Sequence, residues 1–164
     1  KMNNEMKMEF DAISENEGFA RMAVAAFVMG LNPTLEELSD IKTAVSEAVT
    51  NAIIHGYGNL QGYEKNKYQS ANEEIKDGKV YMKCRIVGDV LFIDIMDKGA
   101  GIPDLEKAME PLYTTKPELD RSGMGFAFME AFMDDLEVES IEGKGTKIHM
   151  IKKIGATPWV YEGE

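Results

Sequence analysis

The chain has 164 residues, 44% of them apolar and 29% charged, which describes a folded unit with a sizeable core and not a disordered segment. With 18 Lys and Arg against 29 Asp and Glu, the formal net charge of −11 argues against a nucleic-acid surface, which needs a basic footprint. The longest apolar runs, at 22–29 and 90–93, fall far short of the roughly 20 residues that cross a bilayer. No apolar signal-peptide core is visible near the N-terminus. The single Cys84 excludes an internal disulfide and fits a reducing cytoplasm.

In chain order, positions 6–13 alternate, with Met6, Met8 and Phe10 on one side and Lys7, Glu9 and Asp11 on the other. That is a short strand with one wet face. Ser14 and Glu17 give a capping-box signal for a helix reaching about Leu31, with Phe19, Met22, Ala23, Ala26 and Phe27 as its apolar stripe. Arg21, the only cation on this helix, is placed either to pair with Glu17 at i, i+4 or to meet a partner. Asn32-Pro33 breaks the chain, and Thr34 with Glu37 makes a second capping box. The helix it opens is predicted to run to about His55 and to end at Gly56-Tyr57-Gly58. Its buried face reads as Ile41, Val45, Ala48, Val49 and Ala52, while Glu47 and Asn51, four residues apart, sit one above the other on another face.

From Gly58 to Gly78 the composition turns polar, and the stretch reads as a loop with one helical turn near 71–75. Two strands, 79–87 and 90–96, flank the hairpin signal Gly88-Asp89. A short helix over 104–110 and a loop over 111–122 lead to a helix at 126–133. A last hairpin joins 136–141 to 146–151 across Glu142-Gly143-Lys144-Gly145, and a tail follows from Gly155. The order predicts one α+β domain over 1–164: a two-layer α/β sandwich whose mixed, mostly antiparallel sheet carries helices on one face.

Three places combine chemistry with unusual backbone. Asp97 ends a strand just before Gly99-x-Gly101, where glycines let the chain turn and let a flat ligand come close. A carboxylate there can accept a hydrogen bond from an exocyclic amino group such as adenine's. Gly123-x-Gly125 opens a helix, so free N–H groups and the positive helix end offer a phosphate site that offsets the global charge locally. Thr114, Thr115, Lys116 and Ser122 add donors upstream.

In this order, Glu47-x-x-x-Asn51, Asp97-x-Gly99-x-Gly101, Gly123-x-Gly125 and Gly145-Thr146 resemble the N-box, G1 box, G2 box and supporting threonine of the GHKL ATPase/kinase superfamily. The resemblance implies a Bergerat-type ATP-binding fold that holds ATP or ADP under a lid. It implies Asn51 on Mg²⁺, Asp97 on adenine, Thr146 supporting the adenine site and Glu47 as general base. The runs 46–57, 111–119 and 121–126, with 16–21 and 134–140, further resemble the anti-sigma F factors, sporulation serine kinases of that superfamily. That likeness covers about 6–153. It implies a protein that binds a sigma factor as a homodimer through the face near Arg21 and phosphorylates a serine of an anti-anti-sigma factor. It also makes 59–78 an insertion, either an idle surface loop or a modifier of partner contacts, and leaves the tail 155–164 without a counterpart.

Two rival readings stand beside this one. The ATP-binding domain of a histidine kinase needs an upstream helical hairpin with a phosphoacceptor histidine. His55, inside the motif helix, and His149, in a strand, do not suit that role. A non-catalytic, nucleotide-dependent sigma-binding module would not require Glu47.

Overall fold

The computed structural model describes residues 2–57, 78–110 and 125–155. Five strands, β1 (Asn3–Asp11), β2 (Lys79–Val87), β3 (Val90–Asp97), β4 (Asp135–Ile141) and β5 (Gly145–Lys153), make one sheet in the order β1-β2-β3-β5-β4. Every neighbouring pair is antiparallel. Among the described residues the sheet is therefore antiparallel throughout, not mixed. Tight turns join β2 to β3 and β4 to β5, and such hairpins allow no other direction. β1 starts earlier than its alternation suggests, because Asn3, Asn4 and Glu5 pair with Val87, Ile86 and Arg85 although they bury little. Pairing sets that strand end, not hydrophobicity.

The pleat sorts side chains between two faces. Val80, Met82, Cys84 and Ile86 of β2, Leu91, Ile93 and Ile95 of β3, and Ile148 and Met150 of β5 are buried under the helices. Burial pushes the Cys84 thiol up to about 12, which leaves it an inert part of that core. The other face carries Lys83, Arg85, Asp94 and Lys147, with the Arg85 guanidinium 4.7 Å over the Phe92 ring and His149 Nδ1 paired to Asp94.

The helices are α1 (Glu15–Val28), α2 (Leu35–Asn51), α3 (Leu105–Ala108) and α4 (Gly125–Phe132), and α2 packs against both α1 and α4. The α2 capping box forms in both directions: Glu37 N–H donates to Thr34 Oγ1 at 3.1 Å, and Thr34 N–H donates to Glu37 Oε2 at 2.8 Å. Such a cap contributes about 1 kcal/mol. The predicted buried face is the observed one, with Ile41, Val45, Ala48 and Val49 fully enclosed. Each large aliphatic side chain among them stabilises the fold by about 1.5–3 kcal/mol.

Helix α1 departs from expectation twice. The Ser14 side chain makes no cap, and Glu17 instead accepts from Ser46 Oγ on α2. The stripe is also different: Ala20, Val24, Ala25 and Val28 are buried, whereas Phe19 and Met22 are 57% and 58% exposed. Apolar residues occur on almost every side of this helix, so periodicity could not choose a face. The small and β-branched residues win the α2 contact. The end of α2 differs as well, because the α-helix stops at Asn51 and the chain continues as a π turn over Ala52–Gly56. Among the described residues no helix is long and apolar enough to cross a membrane.

Candidate functional site

Glu47 and Asn51 lie on the side of α2 that faces the first residue of α4. A Cβ added to Gly125 would stand 3.1 Å from Asn51 Nδ2, 3.3 Å from Asn51 Oδ1 and 3.4 Å from Glu47 Oε2. The missing side chain thus lets the N-terminal end of α4 approach both polar groups closely. A carboxylate, a carboxamide and the positive end of a helix meet at one point.

Directly after Asn51, the π turn meets the loop that follows β3. The Asp97 side chain is 6% exposed, and its Oδ1 accepts from Gly99 N–H at 2.9 Å. Burial pushes its carboxyl up from 3.8 to about 6, while the Gly99 and Thr146 N–H groups pull the other way. Ala100 N–H donates to Gly56 C=O at 2.8 Å. A Cβ on Gly99 would fall 2.0 Å from that carbonyl oxygen, so no other residue permits the contact. Gly101 has φ +71°, a left-handed turn that sends the chain towards Ile102. Thr146 is buried opposite Asp97 in the β3–β5 ladder, and its Oγ1 lies 2.8 Å from Ser140 Oγ. Ser140 Oγ also accepts from Ile102 N–H at 2.7 Å, tying the glycine loop to the last hairpin.

Two residues in this region carry structure that sequence reasoning passed over. Ser140 shares the inner face of β4 with Leu136 and Val138, and a polar residue in that alternation was the available signal. Tyr57 bridges two backbone groups through its hydroxyl, and no periodicity announces it.

Of the remaining expected site residues, Thr115, Lys116, Ser122 and Gly123 lie outside the described residues, as do the turn near 71–75, the 59–77 stretch and the tail beyond Gly155. Arg21 pairs with Glu17 at 3.5 Å, keeps a half-exposed guanidinium, and its Nε has no hydrogen-bond partner among the described residues. It lies on α1, away from the Asp97 loop. His55 falls in the π turn and His149 in β5.

Comparison with known proteins agrees with this arrangement. The histidine kinase-like ATPase domain family matches residues 14–152. An anti-sigma F factor of Clostridium perfringens is 56% identical over 154 residues, covering 93% of this chain and 99% of that one. The anti-sigma F factor of Bacillus velezensis is 52% identical over 153 residues, covering 93% and 94% respectively. The RsbU and RsbW domains of a Mycobacterium tuberculosis protein share the fold with a TM-score of 0.59 at 15% identity, over 92% of this chain and 32% of that one. A nucleotide-binding, kinase-like ATPase domain accounts for the fold. The chain belongs to the histidine kinase-like ATPase family, the GHKL family, and within it to the anti-sigma F factors.

Proposed function

We propose that this chain, working as a single domain in the cytoplasm, binds a sigma factor and uses Mg-ATP to phosphorylate a serine of an anti-anti-sigma protein. The observation that carries the reading is the meeting of Glu47, Asn51 and the N-terminal end of α4 at Gly125, with buried Asp97 beside Gly56 in the π turn that directly continues α2. An adenine site and a phosphate site then lie next to each other along the C-terminal end of one element. The anti-sigma F relatives support the partner classes. The lone, buried Cys84 suits a reducing compartment.

In this reading the Asp97 carboxylate accepts from the adenine amino group, with Gly99, Gly101 and Thr146 shaping the surrounding backbone. Gly125, with Gly123, Lys116, Thr115 and Ser122, is assigned to the phosphates by the family resemblance. Glu47 takes the proton from the attacking serine hydroxyl. Asn51 offers a hard oxygen donor beside the Glu47 carboxylate, which suits Mg²⁺ as a single protein ligand. When bound, Mg²⁺ supplies neutralisation of phosphate charge. The chain's own share is positioning and electrostatics, which dominate phosphoryl transfer. Arg21, beside exposed Phe19 and Met22 on α1, is the residue assigned to the partner face of a homodimer.

Labelled ATP and an anti-anti-sigma protein separate these roles. Glu47→Ala is expected to bind ATP within about twofold of wild type and to lose transfer by a factor on the order of 10² or more. Normal transfer by that variant would remove Glu47 as the base. Asn51→Ala should lose the Mg²⁺-dependent part of ATP affinity, and an unchanged metal dependence would take it out of the metal's shell. Arg21→Ala should weaken capture of the sigma factor, with the mass of the captured complex reporting two copies of the chain; undiminished capture would exclude the residue from that face.

The position of Asp97 gives a pH dependence with two opposite signs. Its carboxyl is raised on folding, so its protonation favours the fold. That contribution is complete below about 4 and is lost as pH rises through about 6. Adenine binding needs the ionised form, so ATP affinity should fall about tenfold for each pH unit below 6. Asp97→Asn should flatten both curves; identical pH profiles in wild type and variant would show that another group governs them.

A further inference from the structure

β2 and β3 pair with Val80 opposite Asp97. One step further, Lys79 and Lys98 would face each other, and the ladder would continue through a bond between their backbones. It does not. The Tyr57 hydroxyl stands between them, donating to Lys79 C=O at 2.6 Å and accepting from Lys98 N–H at 2.7 Å. A side chain from the end of α2 has been wedged into the sheet at the point where the strand must give way to the glycine loop. Both partners are backbone atoms, so the arrangement depends on the phenol and not on either lysine side chain.

The rest of the residue is built around this placement. Tyr57 is 4% exposed, and its ring lies flat against Gly78, where a Cβ would fall within 2.6 Å of a ring carbon. Burial pushes the phenol up, so it stays protonated and keeps both a donor and an acceptor at neutral pH. The neighbouring Gly56 C=O takes Ala100 N–H. Two successive residues of α2's π-turn end therefore hold alternate N–H groups, Lys98 and Ala100, on either side of Gly99. The Gly99 N–H, fixed between them, is the one that bonds Asp97. A π turn shifts the residues after it relative to a regular helix, and such turns recur at functional sites. Here the shift delivers a carbonyl and a hydroxyl to one loop.

We propose that Tyr57 is a positioning residue whose hydroxyl, inserted between the Lys79 and Lys98 backbones, sets the angle at which Asp97 meets a purine base and so governs adenine-over-guanine selection. The proposal rests on the reading of Asp97 as the adenine acceptor. Guanine carries a carbonyl where adenine carries its amino group, so a carboxylate held at a fixed angle rejects it through an unpaired, repulsive contact. Loosening the loop lets the carboxylate turn away, which weakens the right base and relaxes rejection of the wrong one.

Tyr57→Phe keeps the ring against Gly78 and removes only the bridge. Binding of ATP, GTP and inorganic tripolyphosphate would be measured for wild type, Tyr57→Phe and Asp97→Asn, together with transfer at saturating ATP. The expected result for Tyr57→Phe is a three- to tenfold loss of ATP affinity, about the effect of one hydrogen bond. The ATP-to-GTP ratio should shrink, tripolyphosphate binding should hold, and kcat should change less than twofold. Equal weakening of ATP and tripolyphosphate would mean general loosening of the fold and would overturn the proposal. So would an unchanged ATP-to-GTP ratio in Tyr57→Phe alongside a clear loss of ATP binding in Asp97→Asn. If Asp97→Asn binds ATP as wild type does, the adenine reading itself fails, and the role given to Tyr57 falls with it.

Discussion

Asp97 puts a carboxylate where water scarcely follows, and four elements are arranged around that burial. Desolvation disfavours the charged form and raises the group to about 6, with only the Gly99 and Thr146 N–H groups acting against it. A buried acceptor with so few partners lowers stability, and a fold keeps one where a ligand can use it. In a low-dielectric setting a hydrogen bond from a ligand amino group is worth more than it would be at the surface. The close approach of Gly99 to the Gly56 carbonyl, the left-handed Gly101 and the Ser140–Thr146 contact hold that acceptor still. They come from the π turn, the β3 loop and both strands of the last hairpin.

How much of this was legible in the sequence depends on whether a feature is periodic. Helix α2 was readable because Ile41, Val45, Ala48 and Val49 recur on one face and leave Glu47 and Asn51 on another. The two hairpins were readable because β-rich runs flank glycine-containing turns. Helix α1 was readable as a helix but its buried face was not, since it is apolar on nearly all sides and only contact with α2 selects Ala20 and Val24 over Phe19 and Met22. The Ser14 cap failed for a related reason: Glu17 has a tertiary partner in Ser46, and a long-range bond displaced the local one.

The site was legible as motifs and illegible as a mechanism of support. Asp97, Gly99, Gly101 and Thr146 stand at spacings that point to a ligand, and they converge. Ser140 and Tyr57 support them through single hydroxyls that bond backbone; only the break Ser140 makes in the β4 alternation hints at this in the sequence, and the Tyr57 bridge leaves no trace there. The π turn is equally silent, because Ala52–Gly56 has the composition of an ordinary helix end.

Helix α2 is the member through which these features share one rigid body. Ser46 reaches across to Glu17, which also pairs with Arg21 on the exposed side of α1. The next residue, Glu47, turns about 100° away towards Gly125 and the N-terminal end of α4. Gly56 and Tyr57, two turns on, hold the Asp97 loop. An exposed face of α1, a carboxylate beside the N-terminal end of α4, and a buried acceptor are thus all fastened to the last turns of α2 and the π turn that continues it. The Ser46–Glu17 hydrogen bond lies within a broad apolar contact, because Ala20, Val24 and Val28 of α1 are buried in the same core as Ile41, Val45 and Ala48 of α2, so the packing of the two helices holds Ser46 and Glu17 in place.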